Sequence, residues 1–144
     1  MACAPIAAVS AEVLPPSDEK GAAAYREIPH TNAVQQATIY LQEYRFEPAL
    51  TTLKAGQPAR LILINKGTTV HEFVTDALHG VAVNMEAQGT LAEMQGLIEL
   101  EIPPGGKVVL RFTPEQTGEF AIACHASKPK DHFKQGMVGK LVIR

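Results

Sequence analysis

This chain has only two cysteines, little net charge and no long apolar run. Two cysteines can form at most one disulfide. A formal net charge of −2 does not favour nucleic acid or an anionic membrane surface as a partner. No apolar stretch approaches the roughly 20 residues of a membrane-spanning helix, and no internal repeat or low-complexity tract occurs. The 144 residues, 46% of them hydrophobic, are enough for one domain with a proper core.

The first 32 residues differ in composition from the rest, being rich in alanine and proline. Met1–Val13 is apolar but lacks a basic start and is interrupted by Pro5, so it is a poor complete signal peptide, and we expect the chain to be a mature form. We predict a partly ordered extension over 1–32 and one domain over 33–144. Three roles stay open for Cys3: a disulfide to Cys124, a lipid-anchor cysteine of an exported protein, or an incidental free thiol.

From residue 33 onward the pattern is typical of β-structure, with short apolar or alternating segments between turn signals. We expect a loop with a short helix over 76–97, including a helical turn at Thr90–Met94. Seven or eight short strands favour an all-β fold, a two-sheet antiparallel β-sandwich with this helical or irregular insertion. The predicted strands are Thr38–Tyr44, Ala49–Leu53, Ala59–Asn65, Val70–Thr75, Leu97–Ile102, Lys107–Phe112, Glu119–Cys124 and a last one from Met137 or Gly139 to Arg144.

Three soft or borderline metal donors lie within fourteen residues near the C-terminus: the thiol of Cys124, the imidazole of His132 and the thioether of Met137. Two imidazoles and a thiolate in a plane, with a weak axial methionine, make an electron-transfer copper site. Each residue alone is more often structural; a buried cysteine, for example, usually behaves as a small hydrophobe. Their coincidence in a β-rich chain favours a copper site.

The second imidazole must come from elsewhere in the chain, and His71 is the best candidate. It follows a turn at the start of a predicted strand, a position that can lie at the same end of a sandwich as the Cys124 loop. His30 lies in the extension and His79 in the irregular stretch. His125 directly follows Cys124, so on an extended backbone its side chain points the opposite way.

The chain resembles the cupredoxin family, which includes plastocyanin, azurin and pseudoazurin, from about Tyr40 to Arg144. The resemblance implies a Greek-key sandwich with one type 1 copper ion, for which His71, Cys124 and His132 are the equatorial ligands and Met137 is the axial ligand. The matching elements are Phe46-Glu-Pro48, Ala55-Gly56, Asn65-Lys-Gly67, His71-Glu-Phe73, Pro104-Gly105-Gly106, Thr117-Gly118-Glu-Phe120, Cys124 and His132-x3-Gly136-Met137-Val-Gly139.

Two features depart from the family pattern. Seven residues separate Cys124 from His132, where plastocyanin-like proteins have two and azurin-like proteins four; the first domain of copper nitrite reductases is closer in this respect. Glu72 replaces the Asn or Ser that usually follows the first histidine, as in bacterial cupredoxins linked to respiration or copper handling. Loop length affects ligand angles, so neither the colour nor the potential of the site follows from the resemblance.

These observations favour a monomeric one-electron carrier in the bacterial periplasm, or otherwise outside the cytoplasm, that serves larger redox proteins. In the family the edge of the last histidine usually reaches the surface, so we expect His132 to be the electron exit. Lys128, Lys130 and Lys134 surround it in sequence and predict a basic patch for an acidic partner, unless they are simply solvated loop residues.

The alternative is a copper-binding protein for copper tolerance or delivery. In that case Met85 and Met94 are candidates for a second soft site, although core or loop positions suit them better. We do not expect an enzyme, because five histidines without a His-x-His pair are too few for a trinuclear copper cluster beside this site.

Overall fold

The structure, a computed structural model, describes residues 33–144; the extension predicted over 1–32, with Cys3 and His30, lies outside the described residues. The described part is all β, and its strands form two sheets. One sheet has the order β2-β1-β4-β9-β6-β7 and the other β3-β11-β10-β5-β8. The strands are β1 Gln35–Gln42, β2 Arg45–Glu47, β3 Leu50–Leu53, β4 Ala59–Asn65, β5 His71–Val74, β6 Ala82–Ala87, β7 Thr90–Gln95, β8 Glu99–Ile102, β9 Lys107–Phe112, β10 Gly118–Ala123 and β11 Val138–Ile143.

The predicted sandwich class is confirmed, but the sheets are mixed rather than purely antiparallel. β1 pairs in parallel with β4, and β11 pairs in parallel with β3. Strands that are neighbours in a sheet but run the same way need a long connection, so β1 and β4 are joined through β2 and β3. The prediction of a fully antiparallel sandwich was therefore wrong in these two pairs.

The helical turn predicted at Thr90–Met94 is also wrong, because this segment is strand β7. It forms a hairpin with β6, and Gln88 and Gly89 at its tip both have positive φ, 50° and 76°. That backbone is typical of a two-residue hairpin turn. Both strands are rich in Ala, Met, Glu and Leu, which favour helices, but β6 also pairs with β9 from Asn84↔Arg111 to Ala87↔Val108. Sheet pairing overrides local propensity here.

The core lies between the sheets and is aliphatic, with fully buried side chains from both. Ile39, Leu61 and Leu63 come from the first sheet, and Ile122 and Leu141 from the second. Burying each such side chain stabilises the fold by roughly 1.5–3 kcal/mol. Met85 and Met94, the candidates for a second soft site, are partly buried and pack against this core.

Candidate metal centre

Two neighbouring strands of the second sheet deliver the first two predicted ligands to one end of the sandwich. β5 begins at His71, and Cys124 directly follows the end of β10; the two strands pair through Ala123↔Val74. Both side chains are completely buried. The N–H of Glu72 donates a hydrogen bond to Sγ of Cys124 at 3.2 Å, so β5 also supports the sulfur.

A buried asparagine shapes the turn that leads into His71. Asn65 ends β4, and its Nδ2 donates to the carbonyl oxygens of Thr69 and Ile102, each at 2.8 Å. Its Oδ1 accepts from the N–H of Gly67 at 2.8 Å. Asn65 therefore makes three hydrogen bonds to backbone groups of this turn and of the end of β8, close to the site.

The other two predicted ligands lie on the loop between β10 and β11. The N–H of Cys124 donates to the carbonyl of Met137 at 3.2 Å, and the N–H of Met137 donates to the carbonyl of His132 at 3.1 Å. Gly136 has a φ of +91°, a conformation that glycine adopts readily. His132 and Met137 are both fully buried, so the loop closes back on the strand end with its donor side chains inside.

Three of the predicted donors come together. Nδ1 of His71 lies 3.1 Å from Nδ1 of His132, and Sγ of Cys124 lies 3.3 Å from the latter and 3.9 Å from the former. The circle through these three atoms has a radius of about 2.0 Å, close to a zinc–imidazole bond and slightly short of a ~2.3 Å zinc–thiolate bond. The triangle is therefore sized for one first-row metal ion.

The groups that face the Nε2 atoms of His71 and His132 indicate which nitrogen of each ring carries the hydrogen. Nε2 of His132 lies 2.9 Å from the carbonyl oxygen of Lys128, and Nε2 of His71 lies 3.5 Å from Oε1 of Glu43. Both facing atoms are acceptors, so they favour a hydrogen on each Nε2. The two Nδ1 lone pairs then point at each other and at sulfur, an arrangement that a cation stabilises.

Burial depresses the proton affinity of His71 and raises that of the thiol. The pKa of His71 lies below its ordinary value because of burial and the nearby His132, although Glu43 opposes the shift. Burial raises the pKa of Cys124, partly offset by the N–H groups of Glu72 and Ala126. Neutral imidazole is the form that binds metal, while the buried thiolate needs a positive partner.

The remaining histidines of the described segment lie outside this cluster. His79 is exposed in a turn, and His125 is exposed and stacks on Phe133 with ring centroids 5.1 Å apart. The backbone N–H of His125 donates to Oε2 of Glu72 at 3.0 Å. A second cluster, of the acidic side chains of Glu72, Glu99 and Glu101, lies on β5 and β8, and the last two are exposed.

The prediction that the edge of His132 reaches the surface is wrong. Its ring is fully buried, because the seven-residue loop places the Lys128 carbonyl over Nε2 and because Tyr44 packs edge-on at 5.0 Å. Lys128, Lys130 and Lys134 are exposed near this end, but Lys134 forms an ion pair with Asp131 at 3.3 Å.

Glu43, which faces Nε2 of His71, was not singled out from the sequence, since nothing local connects it to a histidine 28 positions later.

A two-sheet β-sandwich with a buried cysteine and two convergent imidazoles at one end is the arrangement of a mononuclear copper protein. A family model described as a cupredoxin-like domain matches residues 20–143, so the chain belongs to the cupredoxin-like family. This membership and the donor set identify copper as the cofactor, as predicted.

Known proteins similar to this chain include one relative and several solved structures. The chain is 32% identical over 104 residues to the copper-resistant cuproprotein CopI of Rubrivivax gelatinosus, covering 69% of this chain and 60% of that protein. It thus spans about three fifths of that relative's length. The fold is similar to auracyanin B, with a TM-score of 0.53, 14% identity and coverage of 76% of this chain and 88% of the other. It is also similar to a multicopper oxidase from Campylobacter jejuni, with a TM-score of 0.55, 15% identity and coverage of 76% and 30%.

Among residues 33–144 there is no helix long and apolar enough to cross a membrane.

Proposed function

We propose that this chain would hold one copper ion through Nδ1 of His71, Sγ of Cys124, Nδ1 of His132 and the thioether of Met137, and acts as a one-electron carrier. The observation that carries the proposal is the triangle of three buried donors, 3.1 to 3.9 Å apart, held from two directions by β5 and the β10–β11 loop. When bound, copper supplies one-electron chemistry through its Cu(I) and Cu(II) states.

The protein's part is to keep the donor positions the same in both states. Asn65 holds the turn before His71, the Glu72 N–H supports the sulfur, and Lys128 fixes the His132 ring. Packed surroundings resist movement, so little reorganisation accompanies electron transfer. In this proposal larger redox proteins are the partners, the periplasm or another extracytoplasmic space is the location, and the chain is a monomer with no enzymatic activity of its own.

The test is the visible spectrum of the full chain after addition of Cu(II). We expect an intense thiolate-to-copper band near 600 nm, near 450 nm or at both positions, at one copper per chain. The band should disappear in Cys124→Ser, whereas His125→Ala should leave it unchanged. A wild-type protein with a reduced thiol and no band would contradict the proposal.

A second candidate function is copper tolerance, and the similarity to a copper-resistant cuproprotein favours it. The same ligands would then sequester or transfer copper. Titration separates the two roles: one equivalent that resists removal by a chelator and exchanges electrons rapidly supports a carrier. Several equivalents, or transfer of Cu(I) to a competing chelator within the mixing time, supports copper handling.

A further inference from the structure

The outward nitrogen of His71 is a buried polar atom without an ordinary hydrogen bond among the described residues. His71 is completely buried, and its Nε2 has no partner of good hydrogen-bond geometry. The nearest acceptor is Oε1 of Glu43, 3.5 Å away. A buried donor left unpaired is destabilising, so a hydrogen bond to this carboxylate would stabilise the ring.

Glu43 lies in the turn between β1 and β2, and the turn before β5 holds its carboxylate in place. Oε1 accepts from the N–H groups of Thr68 and Thr69 at 2.6 and 3.0 Å, and from their hydroxyls at 3.2 and 3.3 Å. Four donors on one oxygen favour the ionised carboxylate, which is also the ordinary form of glutamate at neutral pH. At neutral pH Glu43 is an anion with a fixed position.

The space between the two side chains is available because residue 67 is a glycine. A Cβ at this position would lie 2.6 Å from both Oε1 of Glu43 and Nε2 of His71. Such contacts are far inside van der Waals distance, and one of them is to the ring itself. The glycine therefore permits the carboxylate and the imidazole to approach each other.

We propose that Glu43 is a positioning residue of the copper site, which accepts a hydrogen bond from Nε2 of His71 and keeps the Nδ1 lone pair directed at the metal position. This inference rests on the proposed function. An ionised carboxylate has no hydrogen to donate, so it stabilises the ring form that carries hydrogen on Nε2. Carboxylate partners of this kind orient metal-binding histidines and increase their basicity.

The two imidazoles of the site then differ in electronic character. His132 faces the neutral carbonyl of Lys128, while His71 faces an anion. The anion makes His71 the stronger electron donor, and a stronger donor stabilises Cu(II) more than Cu(I). Glu43 therefore lowers the reduction potential of the bound copper.

The test is Glu43→Gln in the full chain, with Glu47→Gln as the matched control. Glutamine keeps an oxygen for the Thr68 and Thr69 donors but removes the charge. Glu47 is an exposed carboxylate on the same hairpin, paired with Arg45 at 3.8 Å. We expect Glu43→Gln to reduce the preference for Cu(II) about tenfold, a potential higher by about 59 mV for one electron. Glu47→Gln should stay close to wild type.

A second measurement needs neither copper nor a variant. Nitrogen-15 NMR of the metal-free wild-type chain at neutral pH should show His71 with its hydrogen on Nε2. Hydrogen on Nδ1 would overturn the proposal, as would an unchanged potential in Glu43→Gln beside a normally coloured wild type. If the wild type gives no coloured copper complex, the proposed function fails, and the NMR result still decides the role of Glu43.

Discussion

The Nε2 atom of His132 lies 2.9 Å from the carbonyl oxygen of Lys128, so the edge of this imidazole faces protein rather than solvent. The loop that provides the carbonyl is the seven-residue stretch between Cys124 and His132. An electron that leaves through His132 must cross this loop or the Tyr44 ring beside it. In the proposed electron-carrier role, we therefore expect redox partners to contact the surface of this loop, with its lysines.

Charge on this loop should control electron exchange with small ionic reagents. We expect the double variant Lys128→Gln and Lys130→Gln to slow oxidation of the reduced protein by an anionic iron cyanide complex and to accelerate oxidation by a cationic cobalt complex. The matched control, Lys54→Gln with Arg144→Gln, removes two positive charges near the C-terminal end of β11, away from the metal centre. Stopped-flow rates measure the effect, which should fade at high salt as the screening length falls to about 3 Å at 1 M. Equal rates in the two double variants at low salt would refute it.

Replacing Met137 by leucine should preserve the fold and change the potential. The side chain is fully buried, and a Leu–Met exchange usually costs less than about 1.5 kcal/mol. Loss of the thioether lowers the coordination number, which Cu(I) tolerates better than Cu(II), so the potential should rise. Voltammetry measures it, and the charge-transfer band should persist because Cys124 is intact. An unchanged potential would remove Met137 from the ligand set.

Replacing Asn65 by alanine should destabilise the protein and weaken copper binding together. The change leaves the carbonyls of Thr69 and Ile102 and the N–H of Gly67 without their partner. An intramolecular hydrogen bond contributes about 0.5–1.5 kcal/mol net, so we expect the loss of all three to cost about 3 kcal/mol in urea unfolding. The exposed Asn84→Ala is the control and should change stability little. Normal copper affinity in a destabilised Asn65→Ala protein would mean that the turn does not position His71.

Gly67→Ala tests the close approach of Glu43 to His71. The added methyl group would lie 2.6 Å from atoms of both side chains, so we expect a displaced carboxylate, lower stability and a shifted copper spectrum. Gly56→Ala provides the comparison: its φ is +73°, but the methyl would meet nothing within 4 Å. That variant should lose about 1–2 kcal/mol from backbone strain and keep the wild-type spectrum.

Copper affinity should increase with pH across the neutral range. Burial raises the pKa of the Cys124 thiol, so the metal-free protein carries a proton there that copper must displace. Below this pKa, one released proton corresponds to about a tenfold gain in affinity per pH unit. The lowered pKa of His71 means that this ring adds no second proton near neutrality. Competition titrations at several pH values measure the slope, and a flat profile would show that the thiolate is not a ligand.

Much of the fold could be predicted, because the central strands have strong signals. The segments Ala59–Asn65 and Lys107–Phe112 were predicted with the bounds that the structure has. The hairpin of β6 and β7 was missed because its residues favour helices, although Gln88-Gly89 is a recognisable turn signal. The parallel pairing of β1 with β4 depends on contacts between distant segments, which periodicity does not report.

The candidate site was predictable where its residues are close in sequence. Cys124, His132 and Met137 form one local pattern, and the structure brings His71 to the cysteine and His132 as expected; the ligand set and the boundary at residue 33 remain predictions. The cover over His132 and the partner of His71 were missed. Both depend on how a loop and a turn fold back in three dimensions, as in the contact from Glu43 to the Thr68 N–H.

The backbone hydrogen bond from Cys124 to Met137 joins the two ends of the loop that lies between β10 and β11. The pairing of β10 with β11, rather than the length of the loop, therefore sets the positions of Cys124 and Met137. Residues inserted or deleted between 125 and 131 in the course of evolution would alter the cover over His132 and leave both ends in place. Access to the metal and retention of the metal are thus separately evolvable traits of this scaffold.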